Sequence, residues 1–359
     1  MNERIVTLGI VGATALLAAC SGPEPDSEAA VADAPQSAPA VAYAYPDGSA
    51  HPTTAWGDPD LQGMWPIMHL FSTPLQRPEE FGTRRFRNEE EIELAQAALD
   101  RREANYHGEL EGGRMGMGHW AETTQSVEAI ALTSLISYPE EGQFPGLTAQ
   151  GEALRPQFGS DDFGRQVFDS PTEDFDPWDR CITRGLPSSM LPYNYNNGIR
   201  IVQSPGFVVI DTEMIHESRI VPIDGEPLDP AIRQWLGASR GYWDDETLVV
   251  ETTNFNGEVN MIIVGIPGAP RGGDLPSTTG MRTTERFTRV SDARIDYEMT
   301  IEDPAILNDK WTISYPMILD PEYQFFEYAC HEDNTAVRNF IETSRYERGL
   351  TPSGEPIEE

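Results

Sequence analysis

From residue 194 to residue 330, apolar and polar side chains alternate with a period of two, the signature of β-strands with one buried face. The run 295–301 is the clearest: Ile295, Tyr297, Met299 and Ile301 alternate with Asp296, Glu298 and Thr300, so one face is core and the other wet. The runs 199–203, 207–215, 219–223, 247–253, 283–290, 311–317 and 324–330 read as strands too, separated by Pro, Gly, Asp or Asn turns. No helix-length crossover lies between them, which argues against a parallel sheet. The expected fold class is therefore mainly β: an antiparallel up-and-down meander, closed as a barrel or strongly curved, with an N-terminal helical extension. The 31 Gly and 29 Pro among 359 residues agree with many turns.

The extension is read from a capping box. Asn88 followed by Glu91 opens a helix over 89–105, where Ile92, Leu94, Ala95, Ala98 and Leu99 form an apolar stripe and the charges a solvated face. The Gly-rich stretch 108–118 lacks the Lys-Ser/Thr ending of a phosphate cradle, so no nucleotide site is expected there.

Residues 5–19 are an apolar run too short for a spanning helix of about 20 residues and read as the core of a secretory signal. The run ends in Leu17-Ala18-Ala19-Cys20, which resembles the lipobox of bacterial lipoproteins, although Glu3 offsets Arg4 where such signals are normally net positive. That resemblance implies cleavage before Cys20 and acylation of Cys20; Ser21, with no Asp there, resembles the outer-membrane-directed form. Residues 20–55 are rich in Ala, Pro, Ser and acids, and cannot bury enough apolar area to offset their ordering entropy. They are expected as a tether with a reach of roughly 30 Å. The expected location is the bacterial cell envelope, lipid-anchored to the outer membrane and facing the periplasm, with membrane contact through the lipid alone. The expected divisions are signal 1–19, tether 20–55, helical and loop-rich part 56–180, antiparallel β domain 181–346 and acidic flexible tail 347–359.

Lipidation of Cys20 leaves Cys181 and Cys330, which in an oxidising compartment are expected to form a disulfide. The alternative, with Cys181, Cys330 and His331 as metal ligands, has no Cys-x-x-Cys or His-x-x-x-His spacing behind it, and no metal is expected. With 25 Lys+Arg against 59 Asp+Glu the formal charge is −34, which excludes the basic footprint of a nucleic-acid binder and speaks against a polyanionic substrate. The Gly-x-Ser-x-Gly, Ser-x-x-Lys, His-Glu-x-x-His and dinucleotide fingerprints are missing, so common hydrolases and cofactor-dependent oxidoreductases are demoted and no cofactor is expected.

Polar groups gather in three places. In 207–217 an apolar strand acquires Asp211, Glu213 and His216; a desolvated imidazole near a carboxylate can titrate close to neutrality, and its structural alternative is a hydrogen-bonded strand-end histidine. Strand parity puts Glu213 and His216 on opposite faces unless a bulge intervenes. In 181–198, Tyr193, Tyr195 and Asn197 could present phenols and an amide at a pocket rim, or Asn197-Gly198 could simply be a hairpin turn packed by the tyrosines. In 233–245, Arg240 near Trp235 and Trp243 could clamp a carboxylate or an aromatic ligand, or form a bend with Arg240 stacked on Trp and paired to Asp244. His331 follows Cys330 and would be pre-oriented by the bridge.

The segments Cys181-Ile-Thr-Arg-Gly-Leu-Pro187, Tyr195-Asn-Asn197, Trp235-Leu-Gly-x-Ser-Arg-Gly-x-Trp243, Thr247 to Phe255, Glu302-Asp-Pro304 and Glu327 to Glu332 resemble a family of exported bacterial proteins over roughly 56–346. The resemblance implies one coherent domain and no particular reaction. Gly63-x-Trp65 resembles the Gly-x-Trp at the first strand of lipocalins, which implies a lipocalin-like barrel. The expected function is a cofactor-independent lyase, isomerase or hydratase acting on a small, largely apolar molecule. His216 is the expected base or acid, Tyr195 or Tyr193 its counterpart and Glu213 a second carboxylate; His331 is a further candidate, and Arg240 is an anion anchor beside Trp235, Trp243 and Asn197. The alternative is a non-catalytic ligand-binding lipoprotein of the outer membrane. If His216, His331, Tyr193 and Tyr195 do not converge on one cavity, binding becomes the better reading of the two.

Overall fold

The computed structural model describes residues 45–113, 126–158, 167–262, 266–270 and 275–357. The expected signal, the expected lipidation site Cys20, most of the expected tether and the end of the Gly-rich stretch lie outside the described residues.

In chain order the elements are β1 (Gly63–Met64), α1 (Glu89–Glu111), α2 (Val127–Ala131), β2 (Ile136–Tyr138) and α3 (Ala149–Phe158). They are followed by β3 (Ile199–Ser204), β4 (Phe207–Thr212), β5 (Glu217–Pro222), β6 (Ala238–Asp244) and β7 (Thr247–Thr253). β8 (Arg282–Ser291), β9 (Arg294–Glu302), β10 (Trp311–Ile318) and α4 (Ala336–Glu347) complete the fold. The capping box forms as expected: the Asn88 N–H donates to Glu91 Oε2 and the Glu91 N–H to Asn88 Oδ1, both at 2.9 Å.

The strands make two antiparallel sheets, in the orders β1-β3-β4-β5 and β2-β10-β9-β8-β7-β6. The inward residues of β9 are those the alternation marks, Ile295, Tyr297, Met299 and Ile301, each at most 1% exposed. Tyr297 lies opposite Phe287 of β8 and Tyr315 of β10, with ring centroids 4.8 and 4.9 Å away, so an aromatic row crosses three strands. The core takes side chains from both sheets, and the two are joined through it by a buried ion pair between Arg219 of β5 and Glu285 of β8.

The sheets do not close into a barrel, contrary to the lipocalin-like expectation. Closure requires hydrogen bonding from β5 to β6, but the 223–237 connection intervenes and makes a single parallel pairing there, Ile223 with Gly241. At the other edges, β1 and β2 come from the N-terminal part, so residues 56–180 extend both sheets rather than standing apart as a helical unit. Gly63 fits its place in β1 because it has no side chain: a Cβ there would lie 2.6 Å from Leu319 Cδ1.

Other expectations are corrected. The run 324–330 is a loop, and β4 stops at Thr212 instead of continuing to residue 215. Segment 238–244, expected as a bend, is strand β6; there Arg240 pairs with Glu251 of β7, not with Asp244. The end of the expected tether is folded: Tyr45 is 6% exposed and donates its hydroxyl to Asp292 Oδ1 at 3.0 Å, an aromatic anchor in an otherwise small and polar stretch. The expected flexible tail folds back as a turn, with Thr351 N–H donating to the Glu355 carbonyl at 2.7 Å.

Candidate functional site

A cleft of about 830 Å³ lies where the first sheet fails to meet the second. Its walls come from β5, from the 226–228 and 233–237 connections and from the start of β6, with Ile182 and Thr183 contributed from beside the disulfide. Apolar groups such as Ile215, Leu228, Trp235 and Leu236 share it with His216, Glu217, Arg233 and Arg240. A volume of this size, mixed in this way, suits a small molecule.

His216 stands at the lip because the β4–β5 connection is not a simple strand continuation. Met214–His216 is a kinked turn and not a regular 3-10 helix, since Ile215 and His216 take the left-handed region at φ 62° and 45°. A β-branched residue there is a true outlier, costing of order 1–3 kcal/mol, and such strain concentrates at functional positions. The turn aims the imidazole so that Nδ1 lies 2.9 Å from the Tyr328 carbonyl. A carbonyl can only accept, so Nδ1 carries the hydrogen and the neutral ring presents Nε2 as its basic nitrogen.

Glu217, the next residue, was not among the expected site residues. It is 8% exposed; Oε1 accepts the Arg184 backbone N–H at 3.1 Å, while Oε2 meets no hydrogen-bond donor among the described residues. Burial pushes its carboxyl up to about 7, against the opposing pull of the Thr183 hydroxyl and the Arg184 and Arg219 charges. A carboxyl that exchanges its proton near neutrality, adjacent to an imidazole at a cleft, is the arrangement acid/base chemistry needs. Arg184 is 3% exposed, and burial pushes its guanidinium down to about 10; it lies 5.2 Å from the ring centroids of both Trp178 and Tyr193. The signal for Glu217 was present: Val221 is a core position, and counting back by two puts Arg219 and Glu217 on the same inward face.

Of the expected residues, His216, Trp235 and Arg240 line this cleft together. Trp235 is stacked not by Arg240 but by Arg180, whose Cζ is 5.9 Å from the ring centroid. Tyr193 and Tyr195 belong elsewhere: with Trp178 and Tyr328 they line a separate, shallower cleft of about 540 Å³. Their rings meet edge to face at 5.4 Å, and burial raises the Tyr195 phenol, with Tyr328 adding to the effect. His331 is exposed and lines neither cleft. Trp243 is half-buried against the core. Asn197 braces the turn before β3, accepting the Tyr193 N–H at 2.7 Å and donating to the Tyr193 carbonyl at 2.8 Å, so 197–198 is no hairpin.

Glu213 holds the fold and not a substrate. Its carboxylate accepts the Asn196 amide at 2.9 Å and the Phe326 and Gly198 N–H groups at 3.0 and 3.1 Å, as well as the Tyr323 hydroxyl. Four donors occupy the carboxylate within the fold. Gly198 is required there, since a Cβ would come 2.6 Å from Glu213 Oε2. Cys181 and Cys330 are bridged, with Cα atoms 5.6 Å apart, and the bridge holds the loop whose Tyr328 carbonyl accepts the hydrogen bond of His216 Nδ1.

The chain matches no protein-family model, no curated protein and no solved structure.

Proposed function

We propose that the protein is an envelope lipoprotein whose β5–β6 cleft handles a small, largely apolar molecule by acid/base chemistry, of the lyase, isomerase or hydratase kind. The observation behind this reading is the adjacency of His216 and Glu217 on the cleft wall, one with a basic Nε2 and the other with a carboxyl pushed up to about 7. These two replace the tyrosine pair and Glu213 as proton donor and acceptor. Lyases, isomerases and hydratases of this kind move protons between carbon and oxygen, which a donor and an acceptor in a partly dry cleft can do without help. Anchorage through Cys20 to the outer membrane, facing the periplasm, is the matching location, and the strongly acidic surface suits a domain that is not to adhere to anionic lipid or polysaccharide.

Native mass spectrometry of the purified full chain identifies the co-purifying small molecule, and turnover of that molecule tests the chemistry. Glu217→Gln and His216→Ala are expected to keep the circular dichroism of the wild type while losing on the order of 10²-fold or more in kcat. Wild-type turnover in both variants would reject the assignment.

Non-catalytic binding is the second reading, favoured by the separation of Tyr193, Tyr195 and His331 from the cleft. It predicts that the wild type returns the molecule unchanged.

A further inference from the structure

The cleft inverts the charge balance of the chain. Asp and Glu outnumber Lys and Arg 59 to 25 in the sequence, yet the cleft is lined by Arg219, Arg233 and Arg240 against Glu217 and Glu226. Arg180, which does not line the cleft, lies over the Trp235 ring with Cζ 5.9 Å from its centroid.

Two of these cations are neutralised within the fold. Arg219 is paired with Glu285, and Arg240 with Glu251 at 2.8 Å. Arg233 and Arg180 differ: Arg233 Nη1 donates to the Thr279 carbonyl at 2.8 Å and Arg180 Nε to the Asp176 carbonyl at 3.3 Å. Both acceptors are neutral, and neither arginine forms an ion pair among the described residues. The Trp235 indole is half-buried and lines the same cleft as Arg233, with Leu236 and Leu228 offering further apolar surface. An apolar wall sharing a cleft with an unpaired guanidinium charge is complementary to a molecule that carries one negative charge on an apolar body. A second negative charge would have to lie near Glu217 and Glu226 in a chain of formal charge −34.

Resting on the cleft as the functional site, we propose that its ligand is a small monocarboxylate with an apolar body: the carboxylate is held by Arg233, and the body lies on Trp235, Leu228 and Leu236. The charge supplies orientation and the apolar body most of the contact area, so removing the carboxylate weakens binding without abolishing it.

The test uses the full chain and two probes of nearly equal size, 4-phenylbutyrate and 4-phenylbutan-1-ol, followed by tryptophan fluorescence and calorimetry at low and high sodium chloride. The acid is expected to bind at least tenfold more tightly than the alcohol, with the advantage shrinking as salt rises. Arg233→Met, a change at an exposed position, is expected to bring the acid to the affinity of the alcohol and leave the alcohol unaffected. Equal affinity for acid and alcohol in the wild type overturns the carboxylate assignment and leaves the cleft as a ligand site. If neither probe binds at millimolar concentration, the carboxylate assignment and the cleft reading fall together.

Discussion

Replacing Cys181 and Cys330 together by serine is expected to lower the unfolding free energy by about 5 kcal/mol, read from equilibrium urea denaturation. The bridge joins residues 149 apart in sequence, so its removal releases one of the longest loops the unfolded chain can regain. On the chain-entropy account that release is a large fraction of the roughly 5–15 kcal/mol by which domains are stable. The local consequence follows from what the 319–334 segment holds. Tyr323 and Phe326 donate to Glu213, and the Tyr328 carbonyl fixes the His216 tautomer, so the loss of the bridge loosens both. A change below about 1 kcal/mol would mean that the loop is held by Glu213 and its neighbours alone.

The second large effect is expected at the ion pair that joins the sheets. The Arg219 and Glu285 side chains are 5% and 0% exposed, and the guanidinium donates to both carboxylate oxygens, with one N–O distance of 2.8 Å. Tyr297 donates its hydroxyl to Glu285 Oε1 at 2.9 Å, completing the carboxylate's partners. Arg219→Met leaves that carboxylate charged and largely uncompensated in the core, which costs about 3–5 kcal/mol. Adding Glu285→Leu removes the stranded charge, so the double variant is expected to recover most of the loss. Thermal melts of the two single variants and the double variant form the cycle, and additive losses would show that the two side chains are not coupled.

How far the sequence led is seen in particular elements. Strands with one wet face were legible, because Ile295, Tyr297, Met299 and Ile301 could be buried in only one register. The run 324–330 misled, since its apolar residues are held by Glu213 and the disulfide instead of by a neighbouring strand. β6 was hidden by Gly241, which meets Val221 and Ile223 where a larger residue would have advertised the alternation. Chemistry alone put Trp235, Arg240 and His216 at one site with Tyr193, Tyr195 and Glu213, yet only the first three line one cleft, the tyrosines line another and Glu213 lines neither, because local sequence carries no information on which loops pack together. Glu217 was passed over because an acid at a strand start reads as solvent-facing until parity is counted from Val221.

The account turns on the Glu217 carboxyl, and its proton has a measurable thermodynamic consequence. The folded value of about 7 lies above the ordinary 4.5, so between the two the folded chain holds a proton that the unfolded chain has released. The resulting stabilisation is fully present below pH 4.5 and is lost as pH rises through 7, a change of about 3 kcal/mol. Glu217→Gln keeps an acceptor for the Arg184 N–H and removes the titration, so the variant should match the wild type at the acid end and exceed it by about that amount above pH 7. The most direct measurement is a carbon-13 NMR titration of the Glu217 side-chain carboxyl in the full chain. A midpoint near 7 is the predicted result, and a midpoint near 4.5 would contradict the account by returning Glu217 to the behaviour of an ordinary solvated acid.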